Sequence, residues 1–248
     1  MVFAFARKSV STTDFPNELS VAGRTVPVSV RENARAKRLT MRVQPGNRGV
    51  SITVPIGASA RSVNDFIERH AGWLETQIAK QPDRPQVRAG IKLPIRGINH
   101  LIVHETGRGV TEIRSLDDAP QLVVCGDERF LPRRVADFLK NEAKCDIDAL
   151  VAHHAGKVGR KVKSVRYRDT TSRWGSCTSD GALSFSWRIM MAPPSVINYL
   201  VAHECAHLRE MNHGSKFWAL CEELCPDTKR CKQWLKRNGN KLQAIEFS

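Results

Sequence analysis

A chain of 248 residues with 41% hydrophobic and 26% charged content has room for a core that needs no staple. No apolar run approaches the roughly 20 residues of a membrane span. In residues 1–8 the apolar positions precede the basic ones, unlike a signal peptide, so a cytoplasmic location is expected. The formal charge of +14 implies attraction to polyanions or acidic surfaces and carries no information about fold.

Residues 1–20, with Ser9, Ser11, Thr12, Thr13 and Pro16, read as a loose tail. Short β-type runs follow at 26–30, 39–43 and 51–54, punctuated by Pro45-Gly46 and Pro55. Ser59 can cap a helix whose apolar positions Val63, Phe66, Ile67, His70, Leu74 and Ile78 recur at helical spacing, with His70 as a packed residue. The stretch 81–85 breaks that pattern, and β-like segments resume around 91–95, 100–104 and 121–124. No internal repeat is visible in the sequence.

From Pro132 the period becomes helical, and Val135, Phe138, Leu139, Ala149 and Leu150 suit a long amphipathic helix ending at Gly156. His153 and His154 near its end interact favourably with the helix dipole. A hairpin is expected next. Its first strand is 171–177, its turn Ser179-Asp180-Gly181, and its return strand alternates Leu183, Phe185 and Trp187 with Ser184, Ser186 and Arg188. Pro193-Pro194 opens a helix with a continuous apolar stripe (Val196, Ile197, Leu200, Val201, Leu208) to about residue 210.

That buried helix carries His203-Glu204-Cys205-Ala206-His207. At 3.6 residues per turn the two histidines project from one face, and both imidazoles can reach one ion. Glu204 is rotated about 100° from His203, so its carboxylate can approach a water on the ion's open position. His213 supplies a third nitrogen at the spacing of the metzincin pattern, H-E-x-x-H-x-x-G-x-x-H. Glu210 replaces the glycine of that pattern and no methionine follows Met211, which excludes a metzincin. The chain is expected to turn at Asn212-His213-Gly214 through left-handed backbone, with a short helix from Ser215 to Pro226. Three histidines without an evident fourth ligand imply an open coordination position.

Seven cysteines (125, 145, 177, 205, 221, 225 and 231) read as reduced, mostly buried thiols. The spacing of Cys221, Cys225 and Cys231 lacks the paired C-x-x-C of a zinc ribbon. Basic residues concentrate at 31–48, 157–173 and 229–241. As solvated faces they need no partner; the other reading is a surface that docks nucleic acid.

Arg173-Trp174-Gly175-Ser176-Cys177, Trp187-Arg188, Ala192-Pro193-Pro194, the H-E-x-x-H, Asn212-His213-Gly214 and Phe217-Trp218, in that order, resemble the YgjP-like metallopeptidase family. That family is similar in its core to SprT-like and minimal gluzincin proteases. The likeness is dense from about 166 to 227 and looser through the basic 31–42 stretch and the helix around Trp73.

The resemblance implies an α+β protein: a β-rich N-terminal part, then a zincin-like core with a long helix, a β-hairpin or small sheet and the active-site helix. The expected organisation is a tail at 1–20, a β-rich region at 21–125 and the metallopeptidase domain at 126–248. The implied ligands are His203, His207 and His213, holding one zinc ion with a water, and the implied general base is Glu204. The implied activity is hydrolysis of peptide bonds in peptide or protein substrates. The 174–177 hairpin would offer an edge for an extended peptide, while Trp174 and Trp187 read more simply as core residues. The rival reading is a nucleic-acid-associated protein that docks DNA or RNA through its basic stretches, with the metal structural or used on nucleic-acid-bound proteins. Neither reading involves a membrane.

Overall fold

Alternating apolar residues build the first sheet. Val50, Ile52 and Val54 of one central strand are buried, and the residues between them are half-buried. The computed structural model describes residues 15–21, 23–44, 49–80, 84–116, 119–170 and 173–247. The expected Pro45-Gly46 turn, the start of the 81–85 break, the first residues of the expected 171–177 strand and most of the expected tail lie outside these. The chain divides into two compact units, 1–83 and 84–248.

In the first unit, β1 (Glu18–Val21), β2 (Arg24–Glu32), β3 (Thr40–Val43) and β4 (Val50–Val54) form a sheet of order β1-β2-β4-β3. β2 and β4 run parallel, and the outer pairs are antiparallel. Phe15 is buried and β1 starts at Glu18, so the part of the expected tail that is described is tied into the sheet. Two helices pack on the sheet, α1 (Ala60–Arg69) and α2 (Ala71–Ala79). The Ser59 side chain caps α1 as expected, accepting from the Ser62 N–H at 3.2 Å. The single helix expected here breaks at His70 (φ −109°, ψ 13°). Val63 and Ile67 before the break and Leu74 and Ile78 after it still reach one core. His70 itself is exposed, which corrects its reading as a packed residue.

The second unit opens with the same topology. β5 (Lys92–Ile95), β6 (Ile98–Glu105), β7 (Glu112–Leu116) and β8 (Ala119–Cys125) are ordered β5-β6-β8-β7, again with a parallel central pair. The chain thus repeats a four-stranded plan without repeating its sequence. Leu93, Ile102, Leu122 and Val124 of this sheet share a core with Leu131, Val135 and Leu139 of α3 (Leu131–Val158). This common core keeps the second sheet and α3 in one compact unit. α3 runs through Gly156 and stops at Gly159, which takes the left-handed conformation (φ 68°) that glycine adopts without steric cost.

β9 (Ser164–Arg168), β10 (Gly175–Cys177) and β11 (Ala182–Ser186) form a third sheet of order β10-β11-β9. β10 and β11 are the expected hairpin, and β9 joins β11 in parallel. The return strand ends at Ser186, and a 3-10 turn (Trp187–Met191) buries Trp187 and Arg188. Arg188 donates to both Asp169 oxygens (2.6 and 3.0 Å) and to the Ile245 carbonyl (2.6 Å). It therefore fastens the last helix to the sheet region. Three helices complete the unit, α4 (Pro194–Ala206), α5 (Ser215–Leu224) and α6 (Thr228–Ala244). α4 is apolar on nearly every side and is buried by α3, α5, α6 and β10. No helix among the described residues is long and apolar enough to cross a membrane.

Candidate metal centre

α4 ends sooner than its apolar stripe suggests, at Ala206, with His207 as its C-cap. His203 therefore projects from the last helical turn and His207 from the point where the chain leaves it. The connection to α5 then brings back His213. No left-handed residue is used in this turn; Gly214 has φ −80° and ψ −175°, and its N–H donates to the Asn212 carbonyl at 2.7 Å. One potential ligand atom from each of the three histidines lies within 4.8 Å of the others. Among the described residues this is the group of His, Cys, Asp or Glu side chains close enough to share an ion.

The distances suit coordination. His203 Nε2 and His213 Nε2 are 3.3 Å apart. Two nitrogens each about 2.0–2.1 Å from a tetrahedral ion would sit about 3.3–3.4 Å apart. His207 Nδ1 lies 3.0 Å from the Glu210 carbonyl oxygen, which can only accept, so Nδ1 carries the proton. That fixes the tautomer and leaves the Nε2 lone pair for a ligand, the outer-shell arrangement metal-binding histidines use. His203 Nδ1 is buried without a hydrogen-bond partner, so His203 lacks that support.

An aromatic floor orients the rings. Phe217, fully buried on the first turn of α5, has its ring centroid 4.9, 4.4 and 4.7 Å from those of His203, His207 and His213. Trp218 stacks on His213 at 5.7 Å, and Lys232 Nζ from α6 sits 3.9 Å from the Trp218 ring centroid. Burial lowers the pKa of His203 to about 4, helped by His207 and His213, and lowers that of His207. Neutral imidazoles are the form that binds metal.

Glu204 is 4% exposed and lies beneath β10. Burial pushes its carboxyl up to about 8, while the nearby Arg173 pulls the other way. Gly175 makes this packing possible. A Cβ there would fall 2.5 Å from Glu204 Oε1 and 2.7 Å from its Cγ. Trp174 is similarly seated against Gly239 of α6, where a Cβ would come within 3.0 Å of the indole nitrogen. Sequence reasoning placed Trp174 and Gly175 in a motif without finding these reasons, because both contacts join segments far apart in the chain.

Other side chains are placed elsewhere. The Tyr167 hydroxyl donates to Asp148 at 2.6 Å, and the buried Tyr199 ring is 5.9 Å from that of His203. All seven cysteines are free thiols, and Cys221, Cys225 and Cys231 are buried. His154 is buried, with Nε2 2.8 Å from Asn198 Oδ1 of α4.

A helix-borne pair of histidines and a third histidine form a donor set that could hold a metal ion, with the buried Glu204 carboxyl next to His203 in the chain. The chain belongs to the YgjP-like metallopeptidase family, whose sequence model matches residues 37–238. Membership implies a bound metal. The match spans most of both units. The chain is also similar to the metallopeptidase zymogen abylysin of Pyrococcus abyssi, at 24% identity over 40% of this chain and 97% of that one, with a TM-score of 0.35. No curated protein matches it.

Proposed function

We infer that this chain is a zinc-dependent peptidase with a zincin-like core, in which His203, His207 and His213 hold one ion and Glu204 is the general base. The observation that carries the reading is the convergence of three imidazoles beside a carboxylate sealed under an edge strand. When bound, zinc supplies a Lewis acid and lowers the pKa of its water to about 7.

The protein's own groups do the rest. Glu204 takes the water's proton on a carboxylate oxygen and returns it to the leaving amine. Its burial favours the protonated form it must pass through, and a nearby divalent charge favours the carboxylate it starts from. β10 is the outer strand of its sheet, so its unpaired backbone groups can receive an extended peptide. Gly175 then sets the gap between that peptide and Glu204.

The test is Glu204→Gln, which keeps the shape and removes the base. Metal content should equal that of the wild type, while hydrolysis of an unstructured protein substrate falls by at least about 100-fold. Equal activity in both proteins would remove Glu204 from the mechanism.

A further inference from the structure

A second site lies entirely within the first unit. The outer strand β3 and the break between α1 and α2 enclose a groove of about 320 Å³, lined by Arg38, Leu39, Thr40, Met41, Phe66, His70 and Trp73. Trp73 is 44% exposed, although an indole of that size is usually largely buried. His70 stands 4.4 Å from Phe66, centroid to centroid, and its Nδ1 is 2.8 Å from the Phe66 carbonyl oxygen. That oxygen only accepts, so Nδ1 carries the proton and the other ring nitrogen is left as an acceptor.

One cation, Arg38, lines the groove, and Lys37 precedes it in the chain. Arg31, Arg35, Lys37, Arg38 and Arg42 follow one another on β2, β3 and the chain between them. Among the described residues none of the five forms an ion pair, whereas the second unit pairs Arg96, Arg114, Lys163 and Arg188 with carboxylates. The described part of the first unit carries nine Lys or Arg residues against five carboxylates.

We propose that this groove binds single-stranded nucleic acid, with a base against Trp73 and His70 and the phosphates along Lys37 and Arg38. Open π faces beside unpaired cations are what such a strand engages, because every base has a face to stack and every phosphate a charge to neutralise. In a duplex the base faces are already stacked on their neighbours and cannot enter a recess of this size. An acidic peptide would satisfy the cations but offers nothing planar to the indole, and the charged side chain of Arg42 on β3 disfavours strand addition along that edge. The site uses no residue of the metal centre, so it stands or falls independently of the peptidase reading.

The experiment is a fluorescence-anisotropy titration of the full chain with a labelled oligo-dT of about 12 nucleotides. Binding should weaken steeply between about 50 and about 200 mM salt. Trp73→Ala should weaken it by about tenfold, with Trp73→Phe keeping most of the affinity. Lys37→Gln with Arg38→Gln should flatten the salt dependence, and Glu204→Gln should bind like the wild type. Absence of binding at low salt overturns the proposal, as does unchanged affinity in a folded Trp73→Ala protein. Equal competition by poly-glutamate or by duplex DNA overturns it too, assigning the groove to acidic peptides or to polyanions in general.

Discussion

Gly175 makes room for the Glu204 carboxylate simply by lacking a side chain. A methyl group there would fall 2.5 Å from Glu204 Oε1 and 2.7 Å from its Cγ, so the Glu204 side chain must shift to admit it. Gly175→Ala should therefore fold and bind zinc but lose about 100-fold in peptidase activity, the size of effect an ångström of misplacement produces. Comparing kcat and zinc stoichiometry in the two proteins checks this; unchanged kcat would mean that the carboxylate does not need its present position. At this scale the sequence was most informative where chemistry is local. His203, Glu204 and His207 are legible because helical periodicity relates them. His213 was legible from its spacing, although the turn that delivers it uses no left-handed residue. Gly175 against Glu204 and Gly239 against Trp174 were not, since nothing in the local sequence says which distant surface a glycine must admit.

Elements with strong apolar periods were equally legible: α3, α4 and α5, and the cores of β2, β4, β6 and β8 lie where their patterns place them. Four others were missed. β1 (Glu18–Val21) lies mostly in the stretch read as a loose tail, β7 (Glu112–Leu116) is an edge strand with few apolar residues, β9 alternates Val165 and Tyr167 with arginines and reads as a charge run, and α6 was visible only as a basic cluster. Parallel pairing of β9 with β11 depends on partners across an intervening hairpin, which no local pattern encodes.

The contact of α3 with α4 gives a pH prediction. His154 is buried between them, and burial holds its pKa below the usual 6.5, against the opposing effect of its bond to Asn198. Above that value the imidazole is neutral in both states and stability does not depend on it. As pH falls through 6.5 the unfolded chain takes up a proton that the folded chain refuses, so stability declines, by at most about 1.4 kcal/mol per pH unit. Urea midpoints between about pH 7.5 and about pH 5.5 should fall more steeply for the wild type than for His154→Gln. Parallel slopes would contradict the assignment.

Across the whole molecule, two separate hydrophobic cores underlie the two units, and the candidate metal centre draws its residues from the second alone. Both units begin with the same four-stranded plan, and the core shared by β5, β6, β8 and α3 joins the second sheet to the later unit. Calorimetry should accordingly resolve two transitions. Zinc at about 100 times its dissociation constant should stabilise the second unit by about 2.7 kcal/mol and leave the first unmoved. A shift of both, or of the first alone, would place the ion elsewhere. The most direct measurement is the anomalous scattering of a zinc-loaded crystal. One strong peak is expected about 2.0–2.1 Å from Nε2 of His203, His207 and His213, with Glu204 beside the open position and not bound to the ion. A peak among Cys221, Cys225 and Cys231, or a fourth protein ligand closing the site, would contradict it.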